Sequence, residues 1–386
     1  MQTADDEVPP TSMRARLPRL TAGSFGTALL LLIALPCFLS LPWTLGTPSN
    51  AESGQRYNDI RLEAQWLPPG TVSYTRSADS GEDEDEEEAS EEGEAEEEAA
   101  DDEEEQAPPP AEEHTSFELM GTDFQGRSLW VRCLLGGAIS LGVGICAALM
   151  AVFIGVTWGA MAGYIGGRTD AFMMRVVDVL YGLPYLLLVV LLSVAVNGVV
   201  DKIEGQAAIK MQADPDYEPG LLINLIQENT LIVNLLVLVI AIGGVSWLTM
   251  ARVIRGQVLS LRTMPFIEAA RAQGMGPWRV LRVHLLPNLV GPIVVYTTLA
   301  VPQAILQESF LSFLGIGVGE PLTSWGQLAS LGIKELPTLA IPEVADQFKW
   351  WLLVFPCVLL GLTLLSLNFM GDAMRERFDP RSKQRG

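Results

Sequence analysis

The hydrophobic positions of this chain are concentrated in six long segments that contain no Asp, Glu, Lys or Arg. Each is at least 22 residues long, and together they are 25–47, 135–162, 179–200, 229–251, 285–307 and 350–371. A helix of roughly 20 apolar residues crosses a bilayer core. One such segment could be a buried helix of a large soluble protein. Six of them predict an all-α integral membrane protein with six transmembrane helices.

The first apolar segment follows Arg14, Arg16 and Arg19, an arrangement that also begins a secretory signal peptide. Segment 25–47 is longer than the apolar part of a signal peptide, and no small-x-small cleavage site closely follows it. We therefore interpret it as a retained transmembrane helix, with cleavage as the alternative.

An uncleaved first helix and a cytoplasmic N-terminus would place both termini in the cytoplasm. The segments then predicted to be cytoplasmic carry 16 Lys or Arg, and the longer exterior ones carry 9. This bias favours the assignment, because basic residues collect on the cytoplasmic side. The predicted divisions are an N-terminal segment 1–24, an exterior segment 48–130, a five-helix core 131–371 with a cytoplasmic loop 252–284, and a tail 372–386.

The net charge of −21 comes from a single stretch of the chain. Residues 79–113 contain 21 acidic residues and no basic ones, and the remainder has 25 of each sign. Such a composition buries too little apolar surface to fold, so we predict a disordered exterior insertion. It is read as a solvated segment. Weak calcium binding, repulsion from an anionic surface and attraction of a basic soluble receptor are alternatives.

The most specific motif lies in the Arg-rich loop 252–284. It reads Glu268-Ala269-Ala270, then Gly274, with Leu286-Pro287 at the start of the next apolar segment. Small residues let a short helix approach a partner closely, Gly ends such a helix, and Pro marks the entry to another. In residue type, spacing and membrane context, this loop resembles the one by which permeases of ABC importers dock on their ATPase subunits.

Other patches narrow the resemblance to the dipeptide/oligopeptide importers, and within them to the second, C-type membrane subunit, which has an extra N-terminal helix. They are Gly121-Thr122-Asp123, Gly126-Arg127, 162–167, 174–178, 284–288, 308–317, Ser324-Trp325-Gly326 and 379–381. Three features depart from the family pattern: Ser128 where Asp is usual, the acidic insertion, and a longer exterior loop near 200–228.

The resemblance implies the type I ABC importer permease fold and alternating access driven by separate ATPases. The implied partners are a second homologous permease, two ABC ATPase subunits and an extracytoplasmic substrate-binding protein. The implied ATPase-docking residues are Glu268, Ala269, Ala270, Gly274, Leu286 and Pro287. The plainer interpretations are a solvated surface residue for Glu268 and a simple helix end for Gly274.

Four further residues are candidates for a role near the membrane boundaries. Arg175 and Asp178 are three residues apart and can form an ion pair on one helix face, which we interpret as structural. Glu308 and Trp325 belong to the exterior stretch after the fifth span. A role at the exterior gate or in receptor contact competes there with an ordinary interfacial position. The spacing of Gly136, Ser140 and Gly144 favours close helix packing.

Several kinds of chemistry are excluded by what the sequence lacks. A phosphate-cradling loop needs Gly directly before its Lys, and none of the five lysines follows a glycine. The four cysteines lie in or beside apolar segments with no CxxC spacing, and the two histidines are far apart. We therefore predict no catalytic residues, no metal or other cofactor, and no nucleic-acid partner for a chain embedded in the lipid bilayer.

Together these features predict a non-enzymatic permease subunit that translocates di- or oligopeptides across the bacterial cytoplasmic membrane. Related permeases import nickel complexes or certain sugars, so those substrates remain alternatives. Two alternatives belong to other classes of protein. A channel or secondary transporter would need charged residues inside the spans, and the six segments have none. A membrane anchor that displays an acidic tail would have no use for the Arg-rich loop motif.

Overall fold

The computed structural model describes residues 22–47, 55–76, 113–213, 229–336 and 348–378. Six of its helices are long and apolar enough to cross a membrane, as the sequence predicts. They are α1 (Ala22–Leu39, followed by the short α2, Leu41–Thr44), α3 (Leu129–Ile165), α5 (Tyr185–Ala213), α6 (Thr230–Leu261), α9 (Leu286–Phe313) and α11 (Trp351–Phe378).

Shorter elements join these spans. Two strands, β1 and β2, precede α3, and short helices lie between the later spans. They are β1 (Thr71–Arg76), β2 (Glu113–Glu118), α4 (Gly167–Tyr181), α7 (Pro265–Ala272), α8 (Pro277–Val280), a π-helical turn (Leu281–Leu285) and α10 (Trp325–Lys334). Single turns of 3₁₀ helix occur at Arg56–Asn58 and Leu62–Ala64.

The spans alternate in direction and define two ends of the bundle. We call the end with α4, α7 and α8 the loop end, and the end with β1, β2 and α10 the hairpin end. A Cβ added to Gly23 of α1 would lie 2.2 Å from Cβ of Ala373 in α11. The start of α1 and the end of α11 therefore meet at the same end of the bundle, the loop end.

Glycines on α3 bring it against α6. Gly155, Gly159 and Gly163 recur every four residues, so they share one helix face. A Cβ at Gly159 would lie 2.4 Å from the carbonyl oxygen of Ala251, and one at Gly163 would lie 2.9 Å from Cβ of Val258. The two backbones therefore run as close together as glycine permits, as is common between membrane helices.

The predicted packing role of the small residues at the start of α3 is confirmed. A Cβ at Gly144 would lie 2.2 Å from Cγ1 of Ile305 in α9, and one at Gly136 would lie 3.2 Å from the backbone of Ser324. Ser140 is fully buried between them. This stripe therefore holds α9 and the start of α10 against α3.

The β-hairpin is an addition to the predicted all-α fold. β1 and β2 are antiparallel, with Val72 opposite Phe117 and Arg76 opposite Glu113. The acidic segment 79–113 lies outside the described residues except for Glu113, the first residue of β2. The hairpin thus brings together the two ends of the stretch that contains the acidic segment.

The helices extend beyond the charge-free segments. α3 begins at Leu129, where the sequence had placed the end of the exterior segment, and so includes Arg132. α5 continues to Ala213, so residues 201–213 are helical although the sequence analysis assigned them to a loop. The rest of that loop, 214–228, lies outside the described residues.

Candidate functional site

The Glu268-Ala269-Ala270 motif of the Arg-rich loop lies in the short helix α7. Pro265 occupies its first turn, where a missing N–H costs nothing. At the other end Met275 N–H donates to the Ala270 carbonyl (3.2 Å) and Gly274 N–H donates to that of Arg271 (2.9 Å). This is a Schellman cap, and it needs the left-handed φ of +78° that Gly274 adopts.

The two faces of α7 have different environments. Ile267 and Ala270 are buried in a cluster with Ile254 and Val258 of α6. Glu268 and Ala269 point outward and are exposed. The resemblance also assigns Ala270 to the partner contact. Its side chain is 4% exposed and belongs to the chain's own core, and its contact with a partner stays a prediction.

A surface suited to a partner surrounds the exposed face of α7. Phe266 and Trp278 are 42% and 72% exposed, so the surface beside α7 includes two large apolar side chains. A Cβ added at Gly274 would meet nothing within 4 Å. Gly274 therefore serves the backbone conformation, and the space beside it is open to another molecule.

Leu286 and Pro287 begin the fifth span. They follow the π-helical turn Leu281–Leu285, and Pro287 lies in the first turn of α9. Leu286 packs partly against the cluster that holds Ile267, whereas Pro287 is exposed. The Leu-Pro element thus fixes where α9 starts relative to α7. π-Helical turns are frequent at sites of functional movement.

Ion pairs hold α4 against α6 at the loop end. Arg255 donates to both carboxylate oxygens of Asp170, from Nε at 2.5 Å and from Nη2 at 2.7 Å. This hydrogen bonding holds the pKa of Asp170 below its usual value, against the opposing effect of partial burial. Arg262, which follows the last residue of α6, donates from Nη1 to the Gly163 carbonyl of α3 at 3.1 Å.

The predicted pairing of Arg175 with Asp178 is wrong. Asp178 instead accepts from Nη2 of Arg252 on α6, at 2.9 Å. The Arg252 guanidinium also lies 4.0 Å from the centre of the Tyr181 ring. A spacing of three residues makes a pair possible within one helix, but here a neighbouring helix supplies an arginine that also stacks on an aromatic ring.

At the hairpin end, the Gly-Thr-Asp and Gly-Arg motif builds a buried charge network. Asp123 accepts from Nε of Arg127 at 2.8 Å and from Nη1 of Arg132. Arg127 also donates to Asn58 at 3.1 Å and to Glu320 at 3.2 Å. Asp123, Arg127 and Arg132 are almost fully buried, and burying these charges is tolerable only because they are paired.

The same motif fastens residues 55–76 to the spans. The Thr122 hydroxyl donates to the Ala64 carbonyl at 2.6 Å and accepts from the Leu67 N–H at 2.8 Å. Trp351 of α11 donates from Nε1 to the Thr122 carbonyl at 3.2 Å. A Cβ at Gly126 would collide with the Arg61 carbonyl oxygen at 1.7 Å, so this position requires glycine.

Glu308 is fully buried among serine hydroxyls. Ser312 donates to it at 2.8 Å and Ser309 at 3.2 Å, and the hydroxyls of Ser140 and Ser324 lie close enough to interact with it. These serines come from α3, from α9 and from the residue that caps α10. The site therefore ties three segments together around one carboxyl group.

Glu308 and Trp325 were expected at the exterior gate or in receptor contact. Their burial leaves neither side chain a surface to offer a receptor in this structure, and the gate role stays a prediction. Both side chains are 0% exposed. The Trp325 ring donates from Nε1 to the Cys133 carbonyl at 3.0 Å and fills the space over Gly137. The two residues lock the start of α10 onto α3, and the interfacial alternative for Glu308 is equally excluded.

A cavity of about 580 Å³ lies midway along the bundle, between α3, the α4–α5 junction, α6 and α9. Its polar groups centre on Tyr185, whose hydroxyl donates to Oε1 of Gln307 at 2.5 Å and lies 2.9 Å from Oγ of Ser246. This trio was not anticipated, because its members are far apart in sequence. The only local signal is that Gln303 and Gln307 fall one turn apart in an apolar segment.

Within the described ranges, no group of three or more His, Cys, Asp or Glu residues is arranged to hold a metal ion. Cys37, Cys133, Cys146 and Cys357 are all unpaired thiols. The polar clusters of the described chain are thus made of ion pairs, hydroxyls and amides.

Six helices able to cross a membrane, a cavity between four of them (α3, α5, α6 and α9) and a capped helix between the fourth and fifth spans are typical of a subunit of a helical membrane transporter. Residues 155–384 match the family model of the binding-protein-dependent transport system inner membrane component, and the chain belongs to that family.

Three relatives illustrate the similarity. The chain is 39% identical over 267 residues to the oligopeptide transport system permease protein OppC of Haemophilus influenzae, across 69% of this chain and 71% of the relative. It is 40% identical over 264 residues to the dipeptide transport system permease protein DppC of Bacillus subtilis (68% and 69%). It is 31% identical over 272 residues to the glutathione transport system permease protein GsiD of Pectobacterium atrosepticum (70% and 75%).

Membership of this family confirms the predicted class and fold. The chain is an inner-membrane permease of an ATP-binding-cassette importer, with the type I permease architecture. Such a chain is a transport component and not an enzyme, so ATP hydrolysis belongs to partner subunits. A substrate-binding protein is a further partner implied by the family.

Proposed function

We propose that this permease imports peptides. The relatives at 39% and 40% identity are named for oligopeptide and dipeptide transport, and a more distant one for transport of the tripeptide glutathione. Nickel complexes and sugars are the competing substrates. Uptake by the reconstituted importer distinguishes them: a di- or oligopeptide should accumulate, and accumulation of a nickel complex or a sugar instead would refute the proposal.

The exposed face of α7 is the surface we assign to ATPase docking. The single observation that carries this assignment is that α7 is anchored by Ile267 and Ala270 while Glu268, Ala269 and the Gly274 turn remain exposed. An anchored helix with a free face can receive a force from outside and pass it to α6, whose Ile254 and Val258 share its buried cluster.

Alternating access follows from this connection. Closure of the ATPase dimer would displace α7, and the shared cluster would carry α6 and, through its glycine contacts, α3 along with it. ATP then acts by favouring one of two arrangements of the spans, and its effect equals its difference in affinity for the two. The π-helical turn before α9 is the adjoining segment that can absorb the movement.

Gly274 provides the test of the docking surface. In Gly274→Leu the side chain would force a strained backbone at a φ of +78° and would project into the open space beside α7. We expect transport to become uncoupled from ATP hydrolysis while the chain stays in the membrane.

The matched control is Gly276→Ala, where φ is −65° and an added Cβ has nothing within 4 Å. Transport and ATPase activity are measured together in proteoliposomes that contain the whole importer. Gly274→Leu with wild-type transport per ATP hydrolysed would remove α7 from the docking surface.

A second, homologous permease and a pair of ATPases complete the proposed assembly. The outward face of α5 is a surface available to it, because Leu187, Leu191 and Val194 are each about 60% exposed and form one apolar stripe that can face either a permease or lipid. Native mass spectrometry of the purified importer gives the stoichiometry. A complex with two copies of this chain and no second permease would contradict the proposed pairing.

Both termini are proposed to be cytoplasmic. The arginines of the loop end support this, since Arg252, Arg255 and Arg271 lie there beside α7. Protease added outside spheroplasts should then cut within the acidic segment 79–113. Cutting there only in inverted vesicles would reverse the whole orientation.

A further inference from the structure

We propose that the mid-bundle cavity is a contact site for peptides that does not select by charge, with Gln303 and Gln307 as its principal ligands for the peptide backbone. The inference rests on the proposed import of peptides and adds the residues that meet the substrate on its way through the membrane. Two observations support it: the composition of the cavity wall and the fixed orientation of the Gln307 amide.

The described wall of the cavity contains no charged side chain. Its residues are apolar or carry hydroxyl, thioether or amide groups, and the polar ones are Tyr181, Tyr185, Ser246, Thr249, Tyr296, Gln303 and Gln307. A fixed charge in a low-dielectric site would favour ligands of one sign and oppose the other. A neutral wall instead treats acidic, basic and neutral side chains alike.

The amide of Gln307 is held with its donors available. Its Oε1 accepts from the Tyr185 hydroxyl at 2.5 Å, and Oγ of Ser246 is 3.4 Å from the same oxygen. Ser246 is held in turn by the Ile242 carbonyl at 2.8 Å. Within the described chain Nε2 of Gln307 has no hydrogen-bond partner, so its two N–H groups remain to donate to an acceptor such as a peptide carbonyl.

Gln303 adds a second amide on the same face of α9. It lies one turn before Gln307, lines the same cavity and is exposed to it. An amide both donates and accepts, so it can bond to either half of a peptide group. Two amides one turn, about 5.4 Å, apart can follow an extended backbone without reading its side chains.

The size of the cavity is compatible with such a ligand. Sites for small molecules enclose roughly 300–1,000 Å³ and are mostly apolar with a few placed polar groups. The volume of about 580 Å³ and the apolar residues of α3 and α6 match that pattern. Discrimination by side-chain charge would accordingly belong to the substrate-binding protein and not to the membrane passage.

The test places a charge in the cavity and asks whether transport becomes charge-selective. Proteoliposomes with the complete importer are supplied with saturating, peptide-loaded binding protein, and uptake is measured for tripeptides of equal length with an acidic, a neutral or a basic central residue. Gln303→Glu should lower the uptake of the acidic relative to the basic peptide by about tenfold or more, equivalent to about 1.4 kcal/mol. Gln303→Lys should reverse that preference, and Gln303→Met should leave the ratio near that of the wild type.

Thr249→Asp, on the opposite wall in α6, repeats the test if the Gln303 variants fail to assemble. Assembly is checked by binding-protein-stimulated ATPase activity. Wild-type acidic-to-basic ratios in assembled charged variants would overturn the cavity as a substrate contact. A wild-type importer that takes up none of the three peptides would refute the peptide proposal itself, which is a different result.

Discussion

Gly159→Ala should separate α3 from α6, because the added methyl group has no room. Its Cβ would lie 2.4 Å from the Ala251 carbonyl oxygen and 3.0 Å from the Arg255 nitrogen. Both atoms belong to the backbone of α6, so rotation of a side chain cannot relieve the contact. Ordinary contact begins at 3.4 Å, so the helices would have to move apart by about 1 Å at this point.

A control substitution on the same helix separates the cost of overpacking from the gain in helix propensity. Overpacking of this kind destabilises by roughly 1–3 kcal/mol, while exchange of Gly for Ala in a helix gains up to about 1 kcal/mol of propensity. Gly142→Ala has the same gain, and its Cβ would meet nothing within 4 Å. The two variants should therefore differ by about the full 1–3 kcal/mol of overpacking.

The assay heats each detergent-purified variant and measures how much monodisperse protein remains. The melting midpoint is taken from this loss. For domains of about 150–250 residues, 1 kcal/mol shifts the midpoint by roughly 2–4 °C. In a larger protein the shift per kcal/mol is smaller, so Gly159→Ala should melt below Gly142→Ala by a few degrees at the upper end of the overpacking range. Equal midpoints would show that the contact between α3 and α6 is looser than the geometry requires, and the reasoning from glycine spacing would fail.

Two further substitutions test the buried polar sites. Asp170→Asn should lower the melting midpoint by removing the pair with Arg255. Because the pKa of Asp170 is depressed, the difference from wild type should persist at neutral pH and shrink only as the pH falls below about 4; a difference that vanishes near pH 7 would contradict this. Glu308→Ala should destabilise by about 1–3 kcal/mol or more, since buried serine hydroxyls lose their acceptor, and Glu308→Gln should cost less. Identical midpoints for these two variants would show that the hydroxyls do not depend on the carboxyl group.

The six spans were predictable because length and the absence of charge are local properties of the sequence. The helix α7 was predictable for a related reason: its cap depends on Gly274 and on residues within one turn of it. Both predictions needed no knowledge of which helices are neighbours.

The wrong predictions concern residues whose partners lie on other helices, because the sequence does not show which helices are neighbours. Arg175 and Asp178 have the right spacing to pair, but Arg252 on another helix is the actual partner of Asp178. Glu308 was placed at a surface because the serines that surround it come from 140, 309, 312 and 324, which only the folded chain brings together. Arg132 was assigned outside the spans because it is charged, although Asp123 makes its burial within α3 tolerable.

The glycine face of α3 is predictable from the sequence. Gly155, Gly159 and Gly163 have a regular spacing of four in an apolar segment, which is a recognised signal for close helix contact. The hairpin is harder to anticipate, because its strands are six residues each and are separated in sequence by a low-complexity stretch.

That hairpin has a consequence for how the protein can be engineered and how it could have acquired its acidic segment. Arg76 and Glu113 are opposite each other in the strand register, so whatever lies between them leaves and rejoins the fold at adjacent points. The entropic cost of such a closed loop rises by only about 0.6 kcal/mol for each doubling of its length. The connection between β1 and β2 can therefore accept inserts of very different length without disturbing the spans. An epitope or a fluorescent reporter placed within 79–112 should leave the membrane bundle intact.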